Sequence, residues 1–488
     1  MTAVLARRSA GPARHVYDAI VIGGQLGGVI SATLLARRGM QVLFIDHDTG
    51  AAPYRHGEWR LSHAPFILPA IKQLAVFDEL LLECGLLPTV QRLMHPVSLQ
   101  VLTQKARFDL LTETEPRQKE LKRALRDGAD AFETMWQQSV MAAAETDLFF
   151  ASKPDLPPEG FFGRWKFRRS LPRFSEALER LSPMHHGTLV ELAPYLTGLD
   201  SPPTLALTRT LAKTMTSPHV VAGGREGLHH VFTERARELG VDVLGSGDTI
   251  EALSFEGSKP VGIRLTRNDT IYRAAFIVAA CDVGTLSTLV PEARRKPLQK
   301  WVSALEPRRA VFTMNVVLPE RALPRGLGSL AVIDSPDAEL GGLLVQVSQA
   351  EPAADRILSL SAKVPLALRA GGEPAVKALM QRVWAAVDGV MPFTRSHARL
   401  ESSAWMDAPR VVAGAFEPLP LMSSTEPSVL GVSALSLSSP YHRLLFANRQ
   451  VVPGLGFEGE VLTALRAVRH IERALHKNDP LKTRRPAA

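Results

Sequence analysis

The fold of this chain is decided by one stretch near its start, Tyr17 to Asp48, which reads YDAIVIGGQLGGVISATLLARRGMQVLFIDHD. An apolar, β-branched run from Ala19 to Ile22 leads into a glycine-rich turn. Apolar residues then recur at helical spacing from Val29 to Arg38, and a glycine closes that run. A second apolar run extends from Gln41 to Ile45. The stretch therefore predicts a βαβ unit of about 30 residues.

The glycine turn of this unit is the first candidate for a binding site. The first amides of a helix have no partner within the helix and carry partial positive charge, so a diphosphate can bind there. We expect Gly23 to make the tight turn and Gly28 to let the helix pack closely on the strand. Gln25 stands at the middle position, which normally lets phosphate approach the backbone; its side chain would crowd a ligand, although its amide could donate a hydrogen bond. Asp46, at the end of the second strand, is placed to bind a ribose hydroxyl, but glycines that serve only packing would give the same pattern.

The composition of the whole chain indicates an ordinary globular protein. Its 488 residues, 45% hydrophobic and 22% charged, are enough for two or three structural units with large cores. No apolar run is long enough to cross a bilayer, and the basic start lacks the apolar segment of a signal peptide, so we expect a cytoplasmic protein. The two cysteines, Cys84 and Cys281, lie far apart and are expected to be reduced core thiols. No metal site is predicted.

The basic character of the chain has two interpretations. The net charge of +8 comes with scattered basic residues and no nucleic-acid-binding signature, so we expect no nucleic-acid partner. Aromatic and cationic residues interleave in FFGRWKFRRS, Phe161 to Ser170. This segment is either a solvated loop or a contact with an anionic membrane surface.

The order of patterns along the chain predicts five segments. Residues 1–70, 215–300 and 440–488 read as the first, central and last parts of one nucleotide-binding domain. Residues 71–214 read mainly as helices and are expected to form a cap, whereas residues 301–439 read as a mixed sheet with a helix packed on it.

A second glycine turn, VVPGLGFEGE from Val451 to Glu460, again joins a predicted strand to a helix. With it, the chain resembles the phytoene desaturase and amine oxidase superfamily of FAD-dependent oxidoreductases over almost its whole length. Three blocks carry the resemblance: GGQLGG with Asp46; VAGGREGLHHVFTERARELGVDV followed by AAFIVAACD; and PGLGFEGE.

This resemblance implies a fold class and an activity. The fold would be α/β, an α+β two-domain flavoprotein with a Rossmann-type FAD-binding domain assembled from discontinuous segments. The substrate domain would combine a mixed sheet with the helical cap. The activity would be an FAD-dependent oxidation, desaturation or isomerisation, with hydride passing between the flavin and an apolar, polyprenoid or lipid-like substrate.

The resemblance also implies site residues. Cofactor contacts are expected from Gly23, Gly24, Gln25, Gly27, Gly28, Asp46, Thr249, Asp282, Asn448, Gly454, Gly456 and Gly459. Glu458, Arg60 and His63 are the candidates for catalytic residues beside the flavin ring.

Two other functions stay open. The superfamily usually follows its second strand with a double glycine and an arginine, where this chain has HDTGAAPYRHGEWR. That departure and Gln25 favour a flavin-free pseudoenzyme that binds a lipid or a prenylated partner, as the Rab GDP-dissociation inhibitors do with a similar fold. The third possibility is an FAD-binding subunit that works with a protein partner in a biosynthetic complex. An apolar substrate could reach any of these from the inner face of the membrane, where the protein would be peripheral.

Overall fold

The structure is a computed structural model. It describes residues 14–46, 53–69, 75–151, 156–170, 187–216, 218–245, 249–266, 270–305, 307–350, 355–411, 419–422 and 434–477. The helix expected in RFSEALERL, residues 173–181, lies outside the described residues.

The described α-helices are numbered here in chain order. They are α1 (Leu26–Arg37), α2 (Ala75–Cys84), α3 (Leu87–Leu93), α4 (Thr114–Leu125), α5 (Ala129–Ala151), α6 (Gly160–Ser170), α7 (Gly187–Val190), α8 (Ala193–Thr197), α9 (Thr204–Thr216), α10 (Gly224–Glu238), α11 (Val283–Leu289), α12 (Lys296–Ala304), α13 (Gly372–Asp388), α14 (Ala404–Val411) and α15 (Phe457–Lys477).

The described strands form four sheets. They are β1 (Val16–Ile22), β2 (Val42–Ile45), β3 (Tyr54–His56), β4 (Trp59–Leu61), β5 (Ile67–Leu68), β6 (Met94–Pro96), β7 (Leu99–Leu102), β8 (Arg107–Leu110), β9 (His219–Val221), β10 (Asp242–Leu244), β11 (Ile250–Glu256), β12 (Lys259–Leu265), β13 (Ile271–Ala279), β14 (Arg309–Pro319), β15 (Leu330–Asp334), β16 (Gly342–Gln349), β17 (Asp355–Pro365), β18 (Leu400–Ser403), β19 (Leu419–Leu421) and β20 (Leu444–Phe446).

The first sheet has seven strands in the order β10-β2-β1-β13-β12-β11, and β20 also pairs with β13. Strands β10, β2, β1, β13 and β20 run parallel, whereas β11 and β12 are antiparallel additions. The βαβ unit predicted from the amino-terminal stretch is confirmed as β1, α1 and β2. The segment before Cys281 forms one continuous strand, β13, whose residues pair along β1.

The turn between β1 and α1 depends on two glycines. Gly23 has φ +100°, a left-handed conformation that glycine adopts without strain. A Cβ atom on Gly28 would lie 2.4 Å from Cβ of Ala280, so only glycine allows α1 to pack this closely against the end of β13. Both roles agree with the sequence prediction.

The second sheet has eight strands in the order β18-β14-β17-β16-β15-β7-β8, with β19 beside β14. The four strands and the helix expected between 301 and 439 are present as β14 to β17 and α13. Strands β7 and β8 come from the segment predicted mainly as helices, and β7 pairs in parallel with β15. The cap segment therefore shares hydrogen bonds with the second sheet.

Both faces of the second sheet are covered. Helices α13 and α14 pack on one face around Trp384, while α4, α5, α8 and α9 cover the other face near β7 and β8. A short 3₁₀ turn at Arg126–Gly128 separates α4 from α5. Arg126 has φ +48°, which ends α4 there. Within the described parts of the chain, no helix is long and apolar enough to cross a membrane.

Candidate functional site

Three chain turns meet at the carboxyl edge of the parallel sheet. They follow β1 at Gly23, β13 at Asp282 and β20 at Asn448, and α15 packs against α1 beside them. In doubly wound sheets, ligands bind in the crevice outside this edge. Gly23, Asp282 and Asn448, all predicted cofactor residues, are therefore brought to one region.

Gln25 is buried at the centre of this region. It is the N-cap residue of α1, with extended backbone angles. Its side-chain Nε2 donates to Oδ1 of Asp282 over 2.8 Å, and its Oε1 accepts from the backbone amide of Arg449 over 3.0 Å. Both ends of the Gln25 amide are thus used to tie the three turns together.

Asp282 and Arg449 form an ion pair beside Gln25. Nη2 of Arg449 lies 2.7 Å from Oδ2 of Asp282, and both side chains are about one fifth exposed. Burial alone would raise the pKa of Asp282, but the Arg449 guanidinium and the Gln25 amide outweigh it, and the pKa lies below its usual value. Asp282 is therefore a carboxylate at neutral pH.

The amino terminus of α1 meets a second carboxylate. The backbone amide of Gly27 donates to Oε2 of Glu460 over 3.3 Å. Nη2 of Arg225, on α10, donates to both oxygens of Glu460 over 3.0 and 2.8 Å. The Glu460 side chain is 4% exposed, so an internal anion faces the positive end of the α1 dipole.

Asn448 fixes the turn after β20. Its side chain is fully buried, and its Nδ2 donates to the carbonyl oxygen of Cys281 over 2.7 Å. Its Oδ1 accepts from the amide of Gln450 over 3.1 Å, and Oε1 of Gln450 accepts from the amide of Val283 over 2.7 Å. Asn448 thereby couples the ends of β13 and β20.

Asp46 lies at the end of β2, where a ribose would bind. Its amide donates to the carbonyl oxygen of Leu244 over 2.8 Å, and its Oδ1 lies 3.6 Å from Nε2 of His229. The carboxylate remains about one quarter exposed. A hydroxyl-bearing ligand could therefore reach it.

The amino terminus of α15 is closely packed by its glycines. Gly456 has φ +54°, and a Cβ atom there would lie 2.0 Å from the carbonyl oxygen of Leu196. A Cβ atom on Gly459 would lie 2.1 Å from the carbonyl oxygen of Val452, and Gly454 is buried in the same turn. The cap and the α15 turn are thus in direct backbone contact.

Glu458 belongs to a buried group of four charges. Its carboxylate pairs with Arg209 on α9, which also binds Oδ1 of Asp147 on α5 over 2.7 Å. Nζ of Lys213 lies 2.8 Å from the same Asp147 oxygen. Burial and then the nearby Arg209 lower the pKa of Lys213. Glu458 therefore anchors the cap helices to α15.

The other predicted residues have separate sets of contacts. Arg60 is half exposed and pairs with Glu226, and the His63 ring packs 5.2 Å from the ring of Tyr54. The contacts described for the three catalytic candidates are thus with different residues: Glu458 with Arg209, Arg60 with Glu226 and His63 with Tyr54. Thr249 is exposed and binds Thr266 through its carbonyl oxygen, so its contacts do not join it to Gln25. The catalytic roles and the role of Thr249 stay predictions.

The site suits the ribose end of FAD better than its diphosphate. Asp46 and the glycine turn fit the ribose end of a dinucleotide. The diphosphate position does not fit as the side chains stand, because Glu460 accepts the Gly27 amide and buried Gln25 fills the turn. A phosphate group beside Glu460 and Asp282 would meet two carboxylates within a mostly buried site.

Sequence reasoning missed Arg225, Arg449, Arg209 and Glu460. Glu460 was visible as the last residue of the second glycine block, directly after Gly459. Its partners could not be read from the sequence, since they lie on other elements.

Comparisons with known proteins found solved structures of similar fold. No family model and no curated protein matches the chain. An oxidoreductase from Methanosarcina mazei has 14% identity and a TM-score of 0.59, covering 92% of this chain and 99% of that chain. A putrescine oxidase variant with redesigned cofactor binding has 12% identity and a TM-score of 0.57, covering 94% and 99%. A geranylgeranyl bacteriochlorophyll reductase-like protein from Thermoplasma acidophilum has 12% identity and a TM-score of 0.50, covering 96% and 81%.

These likenesses establish the architecture. The chain has the fold of these solved oxidoreductases, and the mixed α/β architecture that the sequence resemblance implied is present. The predicted fold class is confirmed.

Proposed function

We propose that this protein is an FAD-dependent oxidoreductase that acts on an apolar, lipid-like substrate. The observation that carries the proposal is the match of almost the whole chain to the fold of putrescine oxidase and related oxidoreductases. The βαβ unit and the α15 turn lie where a doubly wound fold binds a dinucleotide. FAD would supply the redox chemistry when bound, and the chain would orient it and exclude water.

The cap supports the choice of an apolar substrate. A groove of about 370 Å³ runs between α5 and α9. Its walls are mostly apolar, and Asp147 and Lys213 provide its charged groups. Apolar lining with few polar groups is typical of sites for hydrophobic ligands. Arg209 links Asp147 of the groove to Glu458 in the first turn of α15, which supports a connection between the groove and that turn.

The surface of the cap supports delivery of that substrate from a membrane. Large apolar side chains are exposed on α5 and α6, namely Met141, Leu148, Phe161, Phe162 and Trp165. Lys166 and Arg169 lie exposed among them on α6. We propose an anionic bilayer as the partner of this face, because aromatic and cationic side chains together suit the lipid headgroup region.

Vesicle sedimentation tests the membrane proposal. Phe161→Ser combined with Phe162→Ser should reduce binding to vesicles rich in anionic lipid. Phe393→Ser is the control, since Phe393 is 79% exposed but follows α13, which packs on the face of the second sheet opposite α5. Equal binding by both variants would overturn the proposed surface.

A flavin-free protein that binds lipid or a prenylated partner is the second candidate. The contact between Glu460 and the Gly27 amide favours it, because an internal carboxylate stands where phosphate would bind.

A titration separates the two candidates. The melting temperature of the wild-type protein is measured with rising FAD, and with ADP as a partial ligand. A saturable increase with FAD supports the oxidoreductase, and anaerobic bleaching of the flavin by apolar compounds then identifies the substrate class. A melting temperature that stays constant at high FAD would favour the flavin-free protein.

A further inference from the structure

The diphosphate position holds two side chains that a dinucleotide would have to displace. Gln25 is 8% exposed and Glu460 is 3% exposed, so both side chains are buried among their neighbours. Their partners, Asp282, Arg449 and Arg225, belong to three other elements of the fold. The arrangement is a network rather than one loose side chain.

The network puts a carboxylate against the amino terminus of α1, which is the positive end of the helix dipole. The Glu460 carboxylate binds the Gly27 amide, as an oxygen of a diphosphate would. Arg225 neutralises Glu460, and Arg449 neutralises Asp282, so the group carries two positive and two negative charges. No net positive charge is left within it to attract a diphosphate.

We infer that Gln25 and Glu460 close the diphosphate cradle with the chain's own side chains, so that FAD binds weakly and binds more tightly once they are replaced. This inference rests on the proposed function, since it concerns the same cofactor. It assigns to Gln25 a closing role, in which the side chain competes with the ligand, and to Glu460 the role of an internal substitute for phosphate.

Retention of flavin tests the inference. Wild type, Gln25→Gly, Glu460→Gln and the double variant are incubated with excess FAD and desalted, and the flavin-to-protein ratio is read from absorbance in the blue. Glu472→Gln is the matched control, because Glu472 also lies on α15 and pairs with an arginine, Arg38 at 2.9 Å, away from the cradle. Calorimetric titration with FAD gives the dissociation constants.

We expect wild type and Glu472→Gln to lose most flavin on desalting. Glu460→Gln keeps the size of the side chain, removes its charge and releases Arg225 to bind phosphate, so its dissociation constant should fall by at least about tenfold. The double variant should retain close to one flavin per protein. Its melting temperature should fall without FAD and recover when FAD is added, which a change in folding alone would not produce.

Three results would count against the inference. Wild type that retains flavin as well as the double variant overturns it and leaves the proposed function standing. Weaker binding by Gln25→Gly or Glu460→Gln shows that these side chains are ligands, which also overturns it. Folded variants that bind no FAD at any concentration overturn both the inference and the proposed cofactor. If the double variant does not fold, Glu460→Gln alone decides.

Discussion

The amino termini of α1 and α15 look alike in sequence but differ in what they contact. Each follows a glycine turn at the carboxyl edge of the parallel sheet. A glutamate of α15 makes a polar contact at each of them. At α1 the partner is Glu460, which binds a backbone amide of the helix itself. At α15 the Glu458 side chain points to cations of the cap instead. Similar turns can thus make different contacts. At α1 an internal carboxylate binds the helix backbone, and at α15 a carboxylate anchors the cap.

The close packing of α1 gives the largest predicted effect. In Gly28→Trp, even the first atom of the side chain would lie 2.4 Å from Ala280, so we expect a loss of more than about 4 kcal/mol or no folded protein. Gly284→Ala is the control, because a Cβ atom there meets no neighbour within 4 Å. Urea denaturation measures both. A stable Gly28→Trp would mean that α1 can move away from the sheet.

The anchoring role of α15 depends on Arg209. Arg209→Met leaves Glu458 and Asp147 without their shared partner, and we expect a loss of about 3 to 5 kcal/mol in the free energy of unfolding, since a buried charge becomes uncompensated. Arg60→Met should cost under about 1 kcal/mol, because its pair is exposed. Equal losses in urea denaturation would contradict the assignment of the anchor to Arg209.

The internal carboxylate at α1 should matter for stability without any cofactor. Glu460→Gln weakens the bonds to Gly27 and Arg225, so we expect a loss of about 1 to 3 kcal/mol. Glu472→Gln should cost less than about 1 kcal/mol, as its pair is partly exposed. Calorimetric melting of both variants makes the comparison. A neutral Glu460→Gln would show that the contact contributes nothing to the fold.

The smallest effect concerns pH at the edge of the α1 turn. The pKa of Asp282 is lowered in the folded protein, so the ionised carboxylate stabilises the fold above its unfolded pKa of about 3.9, and this contribution is lost as pH falls through the lower folded value. Asp282→Asn should therefore differ most from wild type at pH 5 to 7. The difference in melting temperature should shrink below about pH 4. A difference that stays constant with pH would show that ionisation of Asp282 does not contribute to it.

The sequence predicted the local structure around these helix ends well, because its signals are local. Glycines at positions 23 and 28 and apolar runs beside them specify a strand, a turn and a helix within a short stretch. Strands β14 to β17 of the second sheet were also predicted, whereas β7 and β8 lie in the segment predicted mainly as helices. Gln25 was recognised as unusual, but its partners Asp282 and Arg449 were not, since they are 257 and 424 residues away.

For the catalytic candidates, the sequence did not predict which residues they contact. Arg60 and His63 were candidates that the family resemblance implied, and the structure shows Arg60 paired with Glu226 and the His63 ring beside Tyr54. The charge group around Glu458 could not be predicted, because it needs α5, α9 and α15 to meet in three dimensions. Residue type alone does not fix which charges become partners.

The pairing of β7 with β15 has a consequence for how the chain reaches its fold. Nε2 of Gln100 donates to the carbonyl oxygen of Gly326, 226 residues later, over 2.9 Å, beside the parallel ladder of the two strands. Such distant pairing raises the contact order and slows folding, because a long loop must close first. Deleting the cap as a unit would also leave unpaired the edge of β15 that now pairs with β7, and an exposed strand edge is a template for aggregation. We therefore expect that the cap cannot be deleted without damage to the second sheet.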